Sequence, residues 1–547
     1  MQTKTNWSLA LGMVLLIQLL SACAAKEDAQ LQKPNILFIM SDDHAYQAIS
    51  AYSDHLINTP HIDRLAKEGM LFTNASVTNS ICAPSRATIL TGKHTHINGK
   101  IDNIMPFDTN QVTFPQLFQA AGYQTAMYGK LHFGNNPKGV DDFMILPGQG
   151  NYINPRFITP NGDTTITGYT TDIITDLTLN WLDKKRDKEK PFLMMYLHKA
   201  PHRAWWPSPE KFKTFSQKSF PEPESLFDDY ENRGRAAKEA AMTISNHMLL
   251  SYDVKVLPEA VSALEIDDDP RSARFFRGNE YPRINDEQKA LYQPVLDSIA
   301  EDFKTRWPSM TDREKRSWKY QRYMQDYLGC ISSVDDNVGR VLDYLDENGL
   351  AENTIVVYTS DQGFYLGEHG WFDKRFIYDE SFKTPLLIRW PNEITAGTTS
   401  DEMVQNLDFA QTFLEAAQID APTDMQGESF LPILNGAKES LDREAVYYHY
   451  YEYPGAHSVK RHYGIVTQDY KLAHFYYDVD EWELYDRNKD PQEMRNVYSD
   501  PTYAEVVTTL HKELDALRVK YQDSPDLDQK YIDIYEERRR KREQNRK

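Results

Sequence analysis

The sequence predicts an α/β protein: a mostly parallel sheet covered by helices on both faces, followed by a smaller C-terminal α+β subdomain. Three observations carry this. Short, almost wholly apolar runs alternate with longer stretches of helical periodicity. The length, 547 residues, exceeds one ordinary domain. From Arg443 onward the composition turns to tyrosine-rich alternation, which suits antiparallel strands.

The N-terminus reads as an export signal. Lys4 gives a weak positive start, and Leu9 to Leu20 is an apolar run too short for a comfortable membrane span. The run ends in Leu20-Ser21-Ala22-Cys23, which resembles the bacterial lipoprotein signal, with an ordinary secretory signal as the alternative. Residues 1–22 are expected to be removed, Cys23 to be lipidated, and 23–33 to be a polar tether. The protein is then anchored to a bacterial membrane, on the periplasmic side or at the cell surface.

Asn35 to Met40 reads as a buried strand ending in Ser41-Asp42-Asp43-His44. Gln124 to Tyr128, Pro191 to Leu197, Thr354 to Ser360 and Pro385 to Trp390 are further strand candidates. His61 to Glu68, Val112 to Ala121, Thr171 to Lys185 and Lys315 to Asn348 carry helical patterns between them. Ligand sites in such sheets gather beyond the carboxyl ends of strands, and Asp42, Asp43, Lys130 and Asp361 each follow a strand directly. Residues 34–440 form the expected catalytic domain. Within it, about 208–310 is charged and lacks clear strands; a surface-lying helical and loop insertion is expected there, with Asp267-Asp268-Asp269 as a solvated turn. Residues 441–533 form the expected subdomain, closed by a helix from Glu505 to Lys520. The tail, 534–547, holds the basic run Arg538 to Arg542, expected as a solvated terminus, with contact to anionic glycan or lipid as the weaker alternative.

A net charge of −20 argues against a nucleic-acid partner, and an anionic substrate would need a local positive site. The three cysteines, Cys23, Cys82 and Cys330, imply no disulfide framework. Cys330 lies in an apolar helical pattern and reads as core.

The chemistry gathers around Cys82-Ala83-Pro84-Ser85-Arg86. Pro84 and Ser85 suit a helix start, and Arg86 is expected to bring a fixed positive charge close to the thiol. Both features favour an anion, although a structural thiol at a loop-to-helix junction fits equally well. Asp42, Asp43, Asp361 and Gln362 offer three carboxylates and an amide oxygen at two strand ends, a donor set suited to Ca2+ or Mg2+. Lys130 and His132 share a face in extended chain. His198, Lys199 and His202 compete as site residues, and Lys374 supplies another cation.

These motifs resemble the formylglycine-dependent (type I) sulfatases. The resemblance covers Cys82 to Arg86 with Thr91-Gly92, Asp42-Asp43, Gly129-Lys130-Leu131-His132, Pro201-His202, Ser360-Asp361-Gln362-Gly363, Gly367-Glu368-His369-Gly370 and Lys374, in order from about residue 33 to 500. It implies an alkaline-phosphatase-like fold and sulfate-ester hydrolysis. A formylglycine-generating or anaerobic sulfatase-maturing enzyme would oxidise Cys82 to formylglycine, whose hydrate is the nucleophile. One Ca2+ would be held by Asp42, Asp43, Asp361, Gln362 and the converted Cys82. The family more often has Asn or His at the position of Gln362; Gln keeps a carbonyl oxygen on a longer arm. Arg86, Lys130 and Lys374 resemble the cations around the sulfate, with His202 as general acid and His132 as the base that releases sulfate. A phosphatase or phosphonate hydrolase of the same fold, and a silent glycan-binding lipoprotein, are the rival readings.

The loop Pro147 to Tyr152 resembles a segment of sulfatases acting on 6-sulfated N-acetylglucosamine. A sulfated glycan is therefore expected as substrate, either host glycosaminoglycan or mucin, or an algal polysaccharide such as ulvan or carrageenan. His457, Arg461 and His462 are expected either as a rim reading the sugar or as ordinary exposed hairpin residues.

Overall fold

The computed structural model describes residues 33–544. The leader, Cys23 and all of the tether except Lys33 lie outside them, and no described helix is long and apolar enough to cross a membrane. The central strand, Asn35–Ser41, lies between Phe192–Leu197 and Thr354–Ser360, parallel to both. Gln124–Gly129 and Asp142–Ile145 continue the parallel set beyond Phe192–Leu197. Asn35–Ser41, Phe192–Leu197 and Thr354–Ser360 are buried on both faces, which is why they read as unbroken apolar runs. Leu386–Arg389 pairs antiparallel with Thr354–Ser360. Short strands complete a described sheet of ten: Met70–Phe72 and Thr398–Ser400 at one edge, Arg156–Thr159 and Gly162–Thr165 at the other.

One face of the sheet packs against helix Asp312–Glu347, which buries Tyr327, Leu328, Ile331, Val334, Val338, Val341 and Leu342. A capping box between Thr311 and Glu314 starts that helix. Cys330 is fully buried in its seam, as expected. The opposite face carries helices Cys82–Thr91, Phe114–Ala120 and Phe409–Ala416.

The 208–310 region is helix and loop without a named strand, as expected, but it does not simply lie on the surface. Ile244, Met248, Leu250, Val254 and Val256 are buried, and they join the same core as the long helix. Lys255 adds a buried ion pair to Asp326 of that helix, at 2.9 Å. The apolar residues sit in irregular chain and so carry no period that sequence could reveal. The acidic triplet lies in irregular chain with Asp267 exposed, and it ends in a helix cap: Asp269 caps helix Pro270–Gly278, accepting from the Arg271 amide at 2.8 Å.

Four strands, Ala445–Tyr450, His462–Thr467, Tyr470–Phe475 and Glu481–Asp486, form an antiparallel meander. Helix Ala504–Lys520 packs on it. The last helix, Pro525–Gln544, holds the basic run. Arg538 is tied to Asp102 at 3.0 Å, beside a hydrogen bond from Tyr535 to the same carboxylate, whereas Arg539, Arg540 and Lys541 are exposed.

Leu328 lies at the centre of the seam between the long helix and the sheet. Leu328→Ala should lower the unfolding free energy by about 2–5 kcal/mol in a denaturant titration, through the cavity it leaves.

Candidate active site

The register of two neighbouring strands builds the site. Ser41 pairs with Ser360, so Asp42-Asp43 and Asp361-Gln362 leave the sheet side by side. Asp43 adopts a left-handed φ of 68°. Its amide donates to Asp361 Oδ1 at 3.1 Å, and its carbonyl accepts from Tyr327 of the long helix at 2.7 Å. The carboxylates of Asp42, Asp43 and Asp361 each bring an oxygen within 4.8 Å of the others, and all three are buried.

Lys130 follows strand Gln124–Gly129. Gly129 has φ 111°, and a Cβ there would strike the Leu197 carbonyl, so a glycine delivers Lys130 to the sheet edge. Lys130 Nζ donates to Asp42 and to Gln149. Cys82 opens helix Cys82–Thr91, where Asn103 accepts from the Ala83 amide at 3.1 Å. One turn on, Arg86 Nε donates to Asp361 Oδ2 at 2.9 Å and Nη1 to the Lys130 carbonyl, with Nη2 3.8 Å from Asp42 Oδ1. Arg86 therefore pins the carboxylates from within the electrostatic reach of the thiol, while the cation in contact with the sulfur is a different neighbour. That neighbour is Lys374, whose Nζ stands 3.4 Å from Sγ and 2.5 Å from Asp43 Oδ1.

Burial dominates the electrostatics. It pushes Asp43 up to about 7, with Asp42 and Asp361 adding to it and Lys374 opposing. Burial and Asp42 likewise raise Asp361 against Arg86. Asp42 feels the same burial, but the fixed charges of Lys130, Arg86 and Lys374 outweigh it and hold its carboxyl well below the usual range. Burial, reinforced by Asp42, pushes the Cys82 thiol well above its ordinary value in spite of Lys374. As a plain cysteine this side chain is a protonated thiol, not a nucleophile.

Asp42 Oδ1, Asp43 Oδ2 and Gln362 Oε1 are buried and lack a hydrogen-bond partner among the described residues. The orphaned oxygens of Asp42 and Asp43, in a cluster of three buried carboxylates, fit a divalent cation of the Ca2+ type; Gln362 donates from Nε2 to Asp43 Oδ1 and would present its oxygen to such an ion only with that amide turned over.

His202 stands over this cluster. Nε2 is 3.8 Å from Asp43 Oδ2, and a ring nitrogen lies within 4.8 Å of both the Cys82 sulfur and Asp42. Nδ1 is 2.6 Å from the Arg203 carbonyl, and the His202 carbonyl accepts from Tyr152 OH at 2.6 Å. Arg203 is gripped by the buried Asp253 through two bonds of 2.6 and 2.7 Å. Burial, then Lys130, keeps His202 well below the usual histidine range. The neutral ring thus donates from Nδ1 and leaves Nε2 facing the site. His132, at φ 67°, has a buried, unpartnered Nδ1 and is also held low by burial and Lys130.

The other expectations divide. His198 is a core residue against Tyr196, with ring centroids 4.3 Å apart, and burial holds it at about 3. Lys199 lies 4.5 Å over the Tyr152 ring, behind the site. Arg461 and His462 form no rim and are not exposed. Both are fully buried: Arg461, just before the strand, donates to the Tyr453 carbonyl and lies against Tyr535 of the last helix, and His462, at the strand's first position, accepts from the Ile377 amide. His457 does reach the site's mouth, 3.3 Å from Asp373 Oδ2. Gln149, the partner of Lys130, went unread. Its signal is the flanking pair Gly148 and Gly150, both at positive φ, which turn the loop inward.

Carboxylates, cations and a helix-start cysteine at the carboxyl edge of a largely parallel sheet define an alkaline-phosphatase-like hydrolase. The sulfatase family model matches residues 34–419, and that of the N-sulphoglucosamine sulphohydrolase C-terminal region matches 367–520. The N-acetylglucosamine-6-O-sulfatase of Bacteroides thetaiotaomicron is 47% identical over 526 residues, covering 95% of this chain and 92% of that protein. The ulvan-active sulfatase of Formosa agariphila is 25% identical over 499 residues, covering 88% and 80%. A solved structure in complex with its substrate D-glucosamine-2-N,6-O-disulfate superposes with a TM-score of 0.85 at 47% identity, covering 91% of this chain and 99% of that one. The chain belongs to the sulfatase family and is a sulfuric ester hydrolase.

Asp253 aims His202 through Arg203. Asp253→Asn should lower kcat on the order of 10- to 100-fold with little change in KM, and should cost nothing further once His202→Ala is present. Additive losses in that double-mutant cycle would reduce Asp253 to a folding role.

Proposed function

We propose that the protein removes the 6-O-sulfate from glucosamine residues of a sulfated glycan, with Cys82 converted to formylglycine beside one Ca2+. The observation that carries this reading is a cysteine at the focus of carboxylates and cations whose burial keeps it from acting as a thiolate. Once oxidised and hydrated, that side chain supplies the attacking hydroxyl, and a Ca2+ held by Asp42, Asp43, Asp361, Gln362 and the converted Cys82 would draw charge from the sulfate oxygens.

The chain's own residues do the rest. Arg86 holds Asp361 and Asp42 in place, and Lys130 and Lys374 bracket the sulfate and stabilise the charge that spreads as the S–O bond lengthens. Burial, then Lys130, keeps the His202 ring neutral in the free site, so the ring must take up a proton before it can serve the leaving group. His202 Nε2 then gives it to the departing sugar oxygen, and His132, beside Lys130, accepts the proton when sulfate leaves. Since His202 serves the leaving group, the saccharide lies on its side, toward a cleft of about 510 Å³ bounded by His202 and His457.

Glucosamine 6-O-sulfate is favoured over algal ulvan or carrageenan because the relative at 47% identity bears the name N-acetylglucosamine-6-O-sulfatase and the ulvan-active one stands at 25%. The leader ending in Cys23 supports a lipid-anchored enzyme acting outside the cytoplasm. Maturation of Cys82 by a formylglycine-generating or anaerobic sulfatase-maturing enzyme accompanies its export.

Purified from its native host, the enzyme should release sulfate from N-acetylglucosamine 6-sulfate far faster than from the 3-sulfate or the 6-phosphate. Cys82→Ser, in a host whose maturing enzyme accepts only cysteine, should fold normally and lose nearly all turnover. Faster phosphate release, or full activity in Cys82→Ser, would overturn the reading.

A further inference from the structure

The chain enters the body at one end of its central strand and gathers its reacting groups at the other. We propose that the protein stands on its membrane by the base of the sheet, with the mouth of the active site turned away from the bilayer. It then acts on sulfated glycan arriving from the aqueous side, and not on a sulfated sugar seated at the surface of the same membrane. The proposal rests on the lipid-anchored reading above, in which Cys23 carries the anchor.

Lys33 is where the body takes hold of the entering chain. Its carbonyl accepts from the Asn353 side chain at 3.2 Å. Its Nζ donates to the Ala121 carbonyl at 3.3 Å and lies 5.8 Å from the centre of the Tyr123 ring. Ala121 and Tyr123 come just before strand Gln124–Gly129, and Asn353 just before Thr354–Ser360. Asn35–Ser41 runs parallel to both through the sheet, so these strands all begin at one edge, the base. Trp390, after the antiparallel Leu386–Arg389, returns to the same edge, and a groove there is lined by Lys33, Glu352, Asn353, Trp390 and Glu393. Asp42, Asp43 and Asp361 leave the sheet at its other edge, about 30 Å from Lys33 at some 3.3 Å per residue of strand. His202 and the cleft lie beyond them.

Reach decides the orientation. From Cys23 to Lys33 the chain spans at most about 36 Å, even fully extended. A compact chain of this length is about 60 Å across. Turning the mouth onto the bilayer would lift the base by the full width of the body, and the tether would have to pass around the outside; it is too short for either. The body can lie on its flank, but the mouth then still opens on the order of 30 Å above the lipid. Charge does not compete with this constraint. The base exposes Lys184 and Lys188 but also Glu352, Glu393 and Glu415, a mixed surface with no basic cluster to draw it onto anionic lipid.

The test places the full-length enzyme from its native host in dilute vesicles of phosphatidylethanolamine and phosphatidylglycerol. N-acetylglucosamine 6-sulfate is supplied either free in solution or joined directly to a lipid of the same vesicles. Mass spectrometry of the N-terminal peptide should find a lipid on Cys23. The enzyme should cleave the free sugar, and should cleave the lipid-borne sugar once detergent disperses the vesicles. In intact vesicles it should cleave the lipid-borne sugar at least about 100-fold more slowly. Inserting about 30 Gly and Ser residues between Ala25 and Lys26 should recover most of that loss and leave turnover of the free sugar unchanged. Equal rates on the two sugars in intact vesicles, or an insertion that recovers nothing, would overturn the orientation. An unmodified Cys23 would overturn the anchor reading and the orientation with it, and would leave the 6-O-sulfatase reading intact.

Discussion

Three carboxylates sharing one buried corner is the constraint on which the rest of this structure depends. Asp42, Asp43 and Asp361 project from two adjacent parallel strands into a space closed to water. Like charges there are costly unless cations and hydrogen bonds meet them. The chain answers with three cations from three separate elements: Arg86 from the helix that begins at Cys82, Lys130 from a strand end, and Lys374 from the segment after Phe372-Asp373. Even so, Asp42, Asp43 and Gln362 each retain an oxygen without a partner. The three cations match the three carboxylates in number, and the oxygens left unpartnered among the described residues are donors that would suit a divalent cation.

The fold is arranged to hold that corner still. The long helix reaches the strand end through Tyr327, whose hydroxyl donates to the Asp43 carbonyl and accepts from the Ala45 amide. The buried stretch around Val254 and Val256 brings Asp253 against Arg203, and so fixes the ring of His202. The C-terminal helix is tied to the segment following the Cys82 helix through Asp102. Residues far apart in the chain thus set the positions of a few reacting atoms, and a small displacement at any of them would be felt in the chemistry.

The parts legible in the sequence were those with a strong local signal. Central strands buried on both faces leave continuous apolar runs, and helix Asp312–Glu347 has a long, regular seam. The acids and cations of the site could be read because they sit directly after those strands and inside distinctive motifs. The edge strands carried no such signal: Gly162–Thr165 is exposed throughout and has no apolar face. The 208–310 region was misread because burial of irregular chain leaves no period. The contacts of Arg86 with Asp361 and the Lys130 carbonyl follow from helix geometry that spacing alone does not reveal. Arg461 and His462 looked like a polar rim, yet both are buried and turned to backbone groups of the Tyr453 and Ile377 segments, which spacing does not reveal.

Asp42, Asp43 and Asp361 offer a divalent-cation site that Cys82 faces, with Gln362 at its edge. Calorimetric titration of Ca2+ into the metal-stripped protein tests it most directly. The account predicts saturable binding of one ion per chain, a higher melting temperature on binding, and loss of both in Asp361→Ala. Absence of binding, or binding that Asp361→Ala leaves unchanged, would contradict it.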